Sequence, residues 1–356
     1  MLKVLFAPLQ GYTTGIYRKA HAEIFSGVDA YYAPFLRIEN GHPREKDLRD
    51  LDDSCQECGA KVVPQIIANG IEEFRILADA LLQKGFTEID FNMGCPFPMQ
   101  VNRHRGAGLL SDCNTVQEIM DEIKKLSGSA TIANGTAPAN AKGTASVKFS
   151  VKMRLGQNSA DEAFALLPIL NDTPLAHITI HPRLGKQQYK GVIDFNSFER
   201  FYNESKLPIV YNGDITTVSQ ICELEHKYPK LMGVMIGRGL LANPELAAEY
   251  KSQSGNSNGA NESNEAESAQ SSNRYINCAT PQDFLGKVLQ MHQTIFDNAC
   301  QTYQGDSQIL SHIQSFWEYL EPSIPKKIFK RIKKAGKLIE YNEAISALYT
   351  EHKVLL

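Results

Sequence analysis

Eight short apolar runs, rich in β-branched residues and separated by helix-length segments, constrain this chain more than any other feature. They fall at 4–7, 30–33, 62–67, 88–92, 149–153, 177–180, 209–211 and 233–236. Hydrophobicity that is continuous rather than alternating fits strands buried on both faces, as in a parallel sheet. Between the runs the spacing predicts helices; over 71–84, Phe74, Leu77, Ala78, Leu81 and Leu82 share one face. Eight strand–helix alternations within about 240 residues match an α/β fold of the (β/α)8 TIM-barrel type in count and size. A doubly wound open sheet is the alternative, and the strand count disfavours it.

The chain has 356 residues, room for such a barrel and an accessory unit. The expected organisation is a catalytic barrel over 1–250, a linker over 251–274 and an all-helical C-terminal domain over 275–356. Residues 127–146 carry a single charge and little apolar bulk, and read as an insertion before the fifth strand. Residues 252–273 contain no aromatic or branched aliphatic side chain, so little burial offsets the entropy of ordering them. Beyond the linker, Phe284, Val288, Met291, His292 and Ile295 form one helix face.

No apolar run is long enough for a membrane span, and the apolar stretch near the N-terminus is too short for a secretory signal. Seven cysteines over this length do not suggest a disulfide framework. A cytoplasmic protein is expected. With 37 basic and 40 acidic residues the net charge is −3, which excludes a nucleic-acid binder working by bulk charge but not one with a local basic patch.

The strand tips are where a barrel of this type places its chemistry. Asn212, Gly213 and Asp214 follow the seventh run, and Gly237, Arg238 and Gly239 the eighth. Glycines at these two tips allow backbone N–H groups to approach a phosphate, and Arg238 adds a bidentate cation. Lys152 and His181 follow adjacent runs, and Gln65 belongs to an earlier one. A lysine at a buried rim needs an anion: either a barrel carboxylate such as Asp90 or a reduced flavin ring. Cys95 lies in NMGCPFP, between Gly94 and Pro96, with Arg103, His104 and Arg105 close behind. This reads as a tight exposed turn carrying a reactive thiol, as acid or nucleophile. Cys113, Cys222, Cys278 and Cys300 sit in helical patterns and read as packing residues. Cys55 and Cys58 form a CxxC without further ligands nearby, so no metal site is expected.

Taken together, these motifs resemble the tRNA-dihydrouridine synthases. The likeness runs from APLQG at 7–11 to IGRG at 236–239, and more weakly into the tail. Its most specific element is FNMGCPFPMQVNRHRGAGLL at 91–110, supported by VKMRLG, ITIHPR followed by Tyr189-Lys190-Gly191, VYNGDI and VMIGRGLLANP. The resemblance implies a barrel carrying FMN that reduces the C5–C6 bond of a tRNA uridine, in the D-loop, with NADPH as reductant. It implies that Cys95 protonates C5 while flavin delivers hydride to C6. It further implies that Pro8, Leu9 and Gln10 line the flavin, and that Gln65, Lys152 and His181 bond its rings. Asn212, Gly213, Asp214, Gly237 and Arg238 would hold the ribityl-phosphate end, and Asn92 would contact flavin or base. Leu9 stands where the family carries Met, and Pro182 where it carries Gly.

In the tail, residues 323–340 read SIPKKIFKRIKKAGKLIE. Ile324, Ile328, Ile332, Ala335 and Ile339 recur at helical spacing as a packed face. Lys330, Arg331, Lys333 and Lys334 belong to the charged remainder, which by itself reads as a solvated helix face; beside a base-modifying barrel it reads as a surface for tRNA phosphate rather than membrane. No obligatory protein partner is expected. Two rival functions remain: a small-molecule flavin oxidoreductase of the dihydroorotate-dehydrogenase type, and a non-catalytic RNA-binding barrel.

Overall fold

The computed structural model describes residues 1–51, 59–128, 146–253 and 281–354. The expected CxxC at Cys55 and Cys58, Cys278, most of the 127–146 insertion and most of the 251–274 linker lie outside them. Helix Cys113–Gly128 takes the first two residues assigned to the insertion, and helix Leu246–Ser252 the first two assigned to the linker.

All eight runs are strands of one parallel sheet: Lys3–Phe6, Ala30–Tyr32, Val62–Val63 with Gln65–Ile66, Glu88–Met93, Lys148–Gly156, Leu175–Leu184, Ile209–Tyr211 and Leu231–Ile236. The third is split at Pro64, which has no N–H to give to a ladder. Its first half pairs with Ala30–Tyr32 and its second with Glu88–Met93. The two halves thus close the sheet into an eight-stranded barrel. Helices such as Ile71–Gln83, Asp161–Asn171 and Val218–Lys227 follow the strands on the outside.

Strands four to six are buried almost throughout, as expected, but their residues alternate in polarity instead of being apolar on both faces. Phe91, Met93, Val151, Met153, Ile178 and Ile180 belong to the large apolar core shared with the helices. The intervening residues are polar: Asp90 and Asn92, Ser150, Lys152 and Arg154, Thr179 and His181. Period-two geometry puts these on the opposite, inner face. The register sets Asn92 beside Lys152 and Arg154 beside His181. Leu5, Ala7, Ala30, Tyr32, Val63, Val210 and Met235 form a separate small apolar cluster. The barrel interior is therefore apolar on one side and polar on the other.

The C-terminal region is helical, with Pro281–Thr302, Asp306–Ile313, Lys326–Lys334 and Leu338–Val354 as its α-helices. Its core holds a buried triad in which the indole N–H of Trp317 donates to the Tyr341 hydroxyl at 2.7 Å. The same hydroxyl is hydrogen-bonded to Nε2 of His292, also at 2.7 Å, and burial lowers that imidazole to about 3 and keeps it neutral. The region packs on the barrel through Lys287 and Glu245 (2.7 Å), Tyr17 and Phe316, and Tyr12 and Tyr319, whose rings meet edge to face at 5.2 Å.

Ile324, Ile328, Ile332 and Ala335 are buried as expected, but Ile339 is 66 % exposed. The helix ends at Lys334, where Ala335 turns extended before Gly336, so the helical period does not carry through to Ile339. Cys300 is likewise exposed rather than packed. Among the described residues no helix is long and apolar enough to cross a membrane.

Candidate active site

The strand tips surround one cavity of about 1290 Å³. Each catalytic and cofactor-binding position named from the sequence lines it. Pro8, Leu9 and Gln10 follow the first strand, Gln65 ends the third, and Asn92 and Cys95 belong to the fourth and its turn. Lys152 and His181 come from the fifth and sixth; Asn212, Gly213, Asp214, Gly237 and Arg238 follow the last two. Lys330, Arg331, Lys333 and Lys334 do not line it; they stand exposed on helix Lys326–Lys334.

Cys95 is 7 % exposed, not on an exposed turn. Its burial comes from residues further along the chain. Gly106 packs directly against it, and the amide of Ala107 donates to its carbonyl at 3.0 Å. Burial raises the thiol above its ordinary value, although a backbone hydrogen bond at Phe97 and the charges of Lys152 and Arg154 oppose the shift. The protonated form is therefore favoured, which suits a proton donor better than a thiolate nucleophile.

The turn is held from below. Asn92 Oδ1 accepts from the amides of Gly94 and Cys95, both at 2.9 Å. Asn92 Nδ2 donates to Gln65 Oε1 at 2.6 Å, and Gln65 Nε2 donates to Asp90 Oδ2 at 2.6 Å. Ser150 Oγ donates to the other Asp90 oxygen, also at 2.6 Å.

Asp90 is thus occupied by neutral donors, and Lys152 forms no ion pair with it. Lys152 makes no hydrogen bond or ion pair with any described residue. Burial, with Arg154 adding to it, lowers the ammonium to about 8. A lysine kept at this cost on a cavity wall fits an anionic or electron-rich ring better than a structural partner.

His181 is neutral, held well below its ordinary value by burial and by Arg154, Lys152 and Arg183. Asn212 Nδ2 donates to the Met235 carbonyl at 2.7 Å, which turns its Oδ1 toward His181 Nδ1 at 3.3 Å. Nδ1 therefore carries the proton and Nε2 is left as acceptor.

Asp214 lies between two arginines, paired with Arg183 and, at 2.8 Å, with Arg238. Arg183 first, then Arg238, hold its carboxyl below the usual range. Two cations and one carboxylate leave a net positive end to the cavity. Gly237 keeps it open, because a Cβ there would lie 3.2 Å from the Leu9 side chain. An apolar wall at Pro8 and Leu9, an unpaired lysine and a positive end match the ring, electron-rich edge and phosphate of a flavin nucleotide.

Several residues around the site were not singled out from sequence. Arg154 and Arg183 each stand two residues beyond Lys152 and His181, the spacing that returns a strand residue to the same face. Arg154 donates to the carbonyls of Gly94, Leu184 and Gln188. Tyr189 lines the cavity between Arg154 and Arg238, whose guanidinium carbons lie 5.5 and 5.1 Å from its ring centre. Tyr319 of the helical region also lines it. Among the described residues no cluster of three metal-ligating side chains occurs.

Comparison with known proteins agrees with this architecture. Residues 5–333 match the family described as Dihydrouridine synthase. Over 251 residues the chain is 34 % identical to "Probable tRNA-dihydrouridine synthase" of Helicobacter pylori, covering 68 % of this chain and 67 % of that protein. Over 260 residues it is 26 % identical to "tRNA-dihydrouridine(16) synthase" of Pseudomonas syringae pv. tomato, covering 70 % and 74 %. Among solved structures, a morphinone reductase mutant superposes with a TM-score of 0.50 at 12 % identity, over 70 % of this chain and 86 % of that one, a likeness of fold. Because the family match runs through the barrel and into the helical region, the chain belongs to the dihydrouridine synthase family of flavin-dependent oxidoreductases.

Proposed function

We propose that the protein reduces a uridine of tRNA to dihydrouridine, using FMN and NADPH, and that the target lies in the D-loop. The observation that carries this reading is a buried thiol and an unpaired lysine lining the same cavity. When bound, the flavin supplies hydride for C6 of the pyrimidine, with electrons drawn from NADPH. Cys95 donates the thiol proton to C5, so the C5–C6 double bond gains one hydride and one proton and no group leaves. Lys152 balances negative charge on the ring, while Gln65 offers it an amide N–H and neutral His181 an acceptor nitrogen. Asn212, Gly213, Asp214, Gly237 and Arg238 receive the ribityl-phosphate end.

A uridine inside folded RNA must leave its stack to reach a thiol this deep. Lys330, Arg331, Lys333 and Lys334 supply phosphate contacts outside the cavity. Lys330 and Lys334 form no ion pair among the described residues, and both are free for such a role. The protein acts in the cytoplasm on this reading.

The deciding experiment maps dihydrouridine across the tRNAs of cells with and without this gene. Loss of one D-loop dihydrouridine, restored by the intact chain and not by Cys95→Ala, is the expected result. An unchanged map, or turnover of free uridine or orotate without RNA, would overturn the reading.

A further inference from the structure

The hydrogen bonds beneath Cys95 have only one possible direction. At one end two backbone amides, of Gly94 and Cys95, can only donate, so the Asn92 oxygen must face them. The Asn92 nitrogen must then face Gln65, which has to answer with its oxygen. That leaves the Gln65 nitrogen pointing at Asp90. At the other end Ser150 occupies the second carboxylate oxygen. Gln65, Asp90, Asn92 and Ser150 are all buried, Asp90 completely, so a partner missing there leaves a costly unsatisfied group.

We propose that Asp90 is a positioning residue for Cys95: as an obligate acceptor it fixes the amide of Gln65, through it that of Asn92, and so the turn that carries the thiol. The relay joins strands three, four and five, so the turn is registered to the barrel wall rather than to its own loop. Burial raises the Asp90 carboxyl to about 6, while the hydrogen bonds from Ser150 and Gln65 and the charge of Lys152 pull it down, so it remains an ionised acceptor at neutral pH. Without that acceptor, the Gln65 nitrogen is a buried donor with no partner, and the orientation that sets its oxygen on Asn92 loses its support. Asn92 would then meet a nitrogen, and the Gly94 and Cys95 amides would lose their anchor. The consequence for catalysis rests on the role proposed for Cys95; the positioning itself does not.

The test compares Asp90→Leu, which accepts nothing, with Asp90→Asn in the full-length holoprotein. Asparagine keeps an oxygen for Gln65, and the Ser150 hydroxyl can rotate to accept from its nitrogen. Residue-resolved hydrogen exchange should show the Gly94 and Cys95 amides exchanging about tenfold faster or more in the leucine variant, the scale of one missing buried hydrogen bond. Amides of strand Leu231–Ile236 should be unchanged. The leucine variant should also lose at least about tenfold in kcat at unchanged KM for tRNA, because the thiol is misplaced rather than the substrate. The asparagine variant should restore both readouts. Unchanged exchange at the two amides in Asp90→Leu, or an asparagine variant as impaired as the leucine one, would overturn the proposal. Should Asp90→Leu not fold, Gln65→Met cuts the same relay from the other side and must give the same exchange signature. If instead Cys95→Ala remains active while the exchange result holds, the functional reading fails and the positioning stands.

Discussion

Gly106 and Cys95 occupy adjoining space so closely that a Cβ on Gly106 would lie 2.8 Å from the Cβ of Cys95 and 2.7 Å from its carbonyl oxygen. Gly106 also has a φ of +60°, a region costly to a side chain. Gly106→Ala should therefore push the thiol out of place. We expect flavin content to be retained, kcat for dihydrouridine formation to fall by about tenfold or more, and stability to drop by about 1–3 kcal/mol. Steady-state assays and thermal melts check this, and a fully active variant would show that the turn tolerates displacement.

If Cys95 is the proton donor proposed above, Cys95→Ala removes that donor and little else. The variant should purify with a full complement of flavin and lose about 100-fold or more of its dihydrouridine-forming rate. Quantifying dihydrouridine by mass spectrometry of digested tRNA, against flavin absorbance, separates the two effects. Near-normal turnover would assign the proton to another group.

Lys152 should betray its environment chemically. With the ammonium lowered to about 8, roughly half of it is the free amine at about pH 8, against less than about 1 % for a lysine of ordinary basicity. The sign follows from burial disfavouring the charged form. In flavin-free protein, an amine-selective reagent near pH 8 should label Lys152 faster than a lysine in an unstructured peptide, and flavin should protect it. Slower labelling than the peptide, with or without flavin, would contradict this assignment.

How much of this could be read from the residues alone depends on the range over which each feature is decided. The eight strands and the tips that follow them are local patterns, and the cavity gathers the named tip residues. The alternation of strands four to six was obscured because Asp90, Asn92, Ser150 and Thr179 are short polar residues inside otherwise apolar runs. The burial of Cys95 is set by Gly106 and Ala107, beyond an intervening helical turn, and no property of NMGCPFP itself conveys it. Arg154 and Arg183 stand two residues beyond Lys152 and His181, and strand parity alone puts them on the same face. Tyr319 reaches the cavity only through tertiary packing. Ile339 fits the helical period, but the chain breaks at Ala335 and Gly336 before reaching it.

Arg238→Ala should weaken flavin retention by about tenfold or more, through removal of a charge-assisted hydrogen bond at the positive end of the cavity. Asp214 would then face Arg183 alone, and that end of the cavity would keep no net positive charge. Flavin stoichiometry after gel filtration, and titration of the stripped protein with FMN, give the answer. Full retention would move the phosphate elsewhere.

Neutralising Lys330, Arg331, Lys333 and Lys334 together should lower tRNA affinity and flatten its dependence on salt, by about one unit of logarithmic slope for each phosphate no longer neutralised. Flavin content should not change, since none of the four lines the cavity. Binding isotherms at several salt concentrations test this, and an unaltered slope would take the helix out of the interface.

The ring of Tyr319 against Tyr12 makes the reaction chamber a joint product of opposite ends of the polypeptide. A barrel expressed without its tail would lack part of its doorway, and a tail borrowed from a relative would reshape the aperture as well as the docking face. On the proposed function, which nucleotide is admitted and how the RNA is gripped would be inherited together.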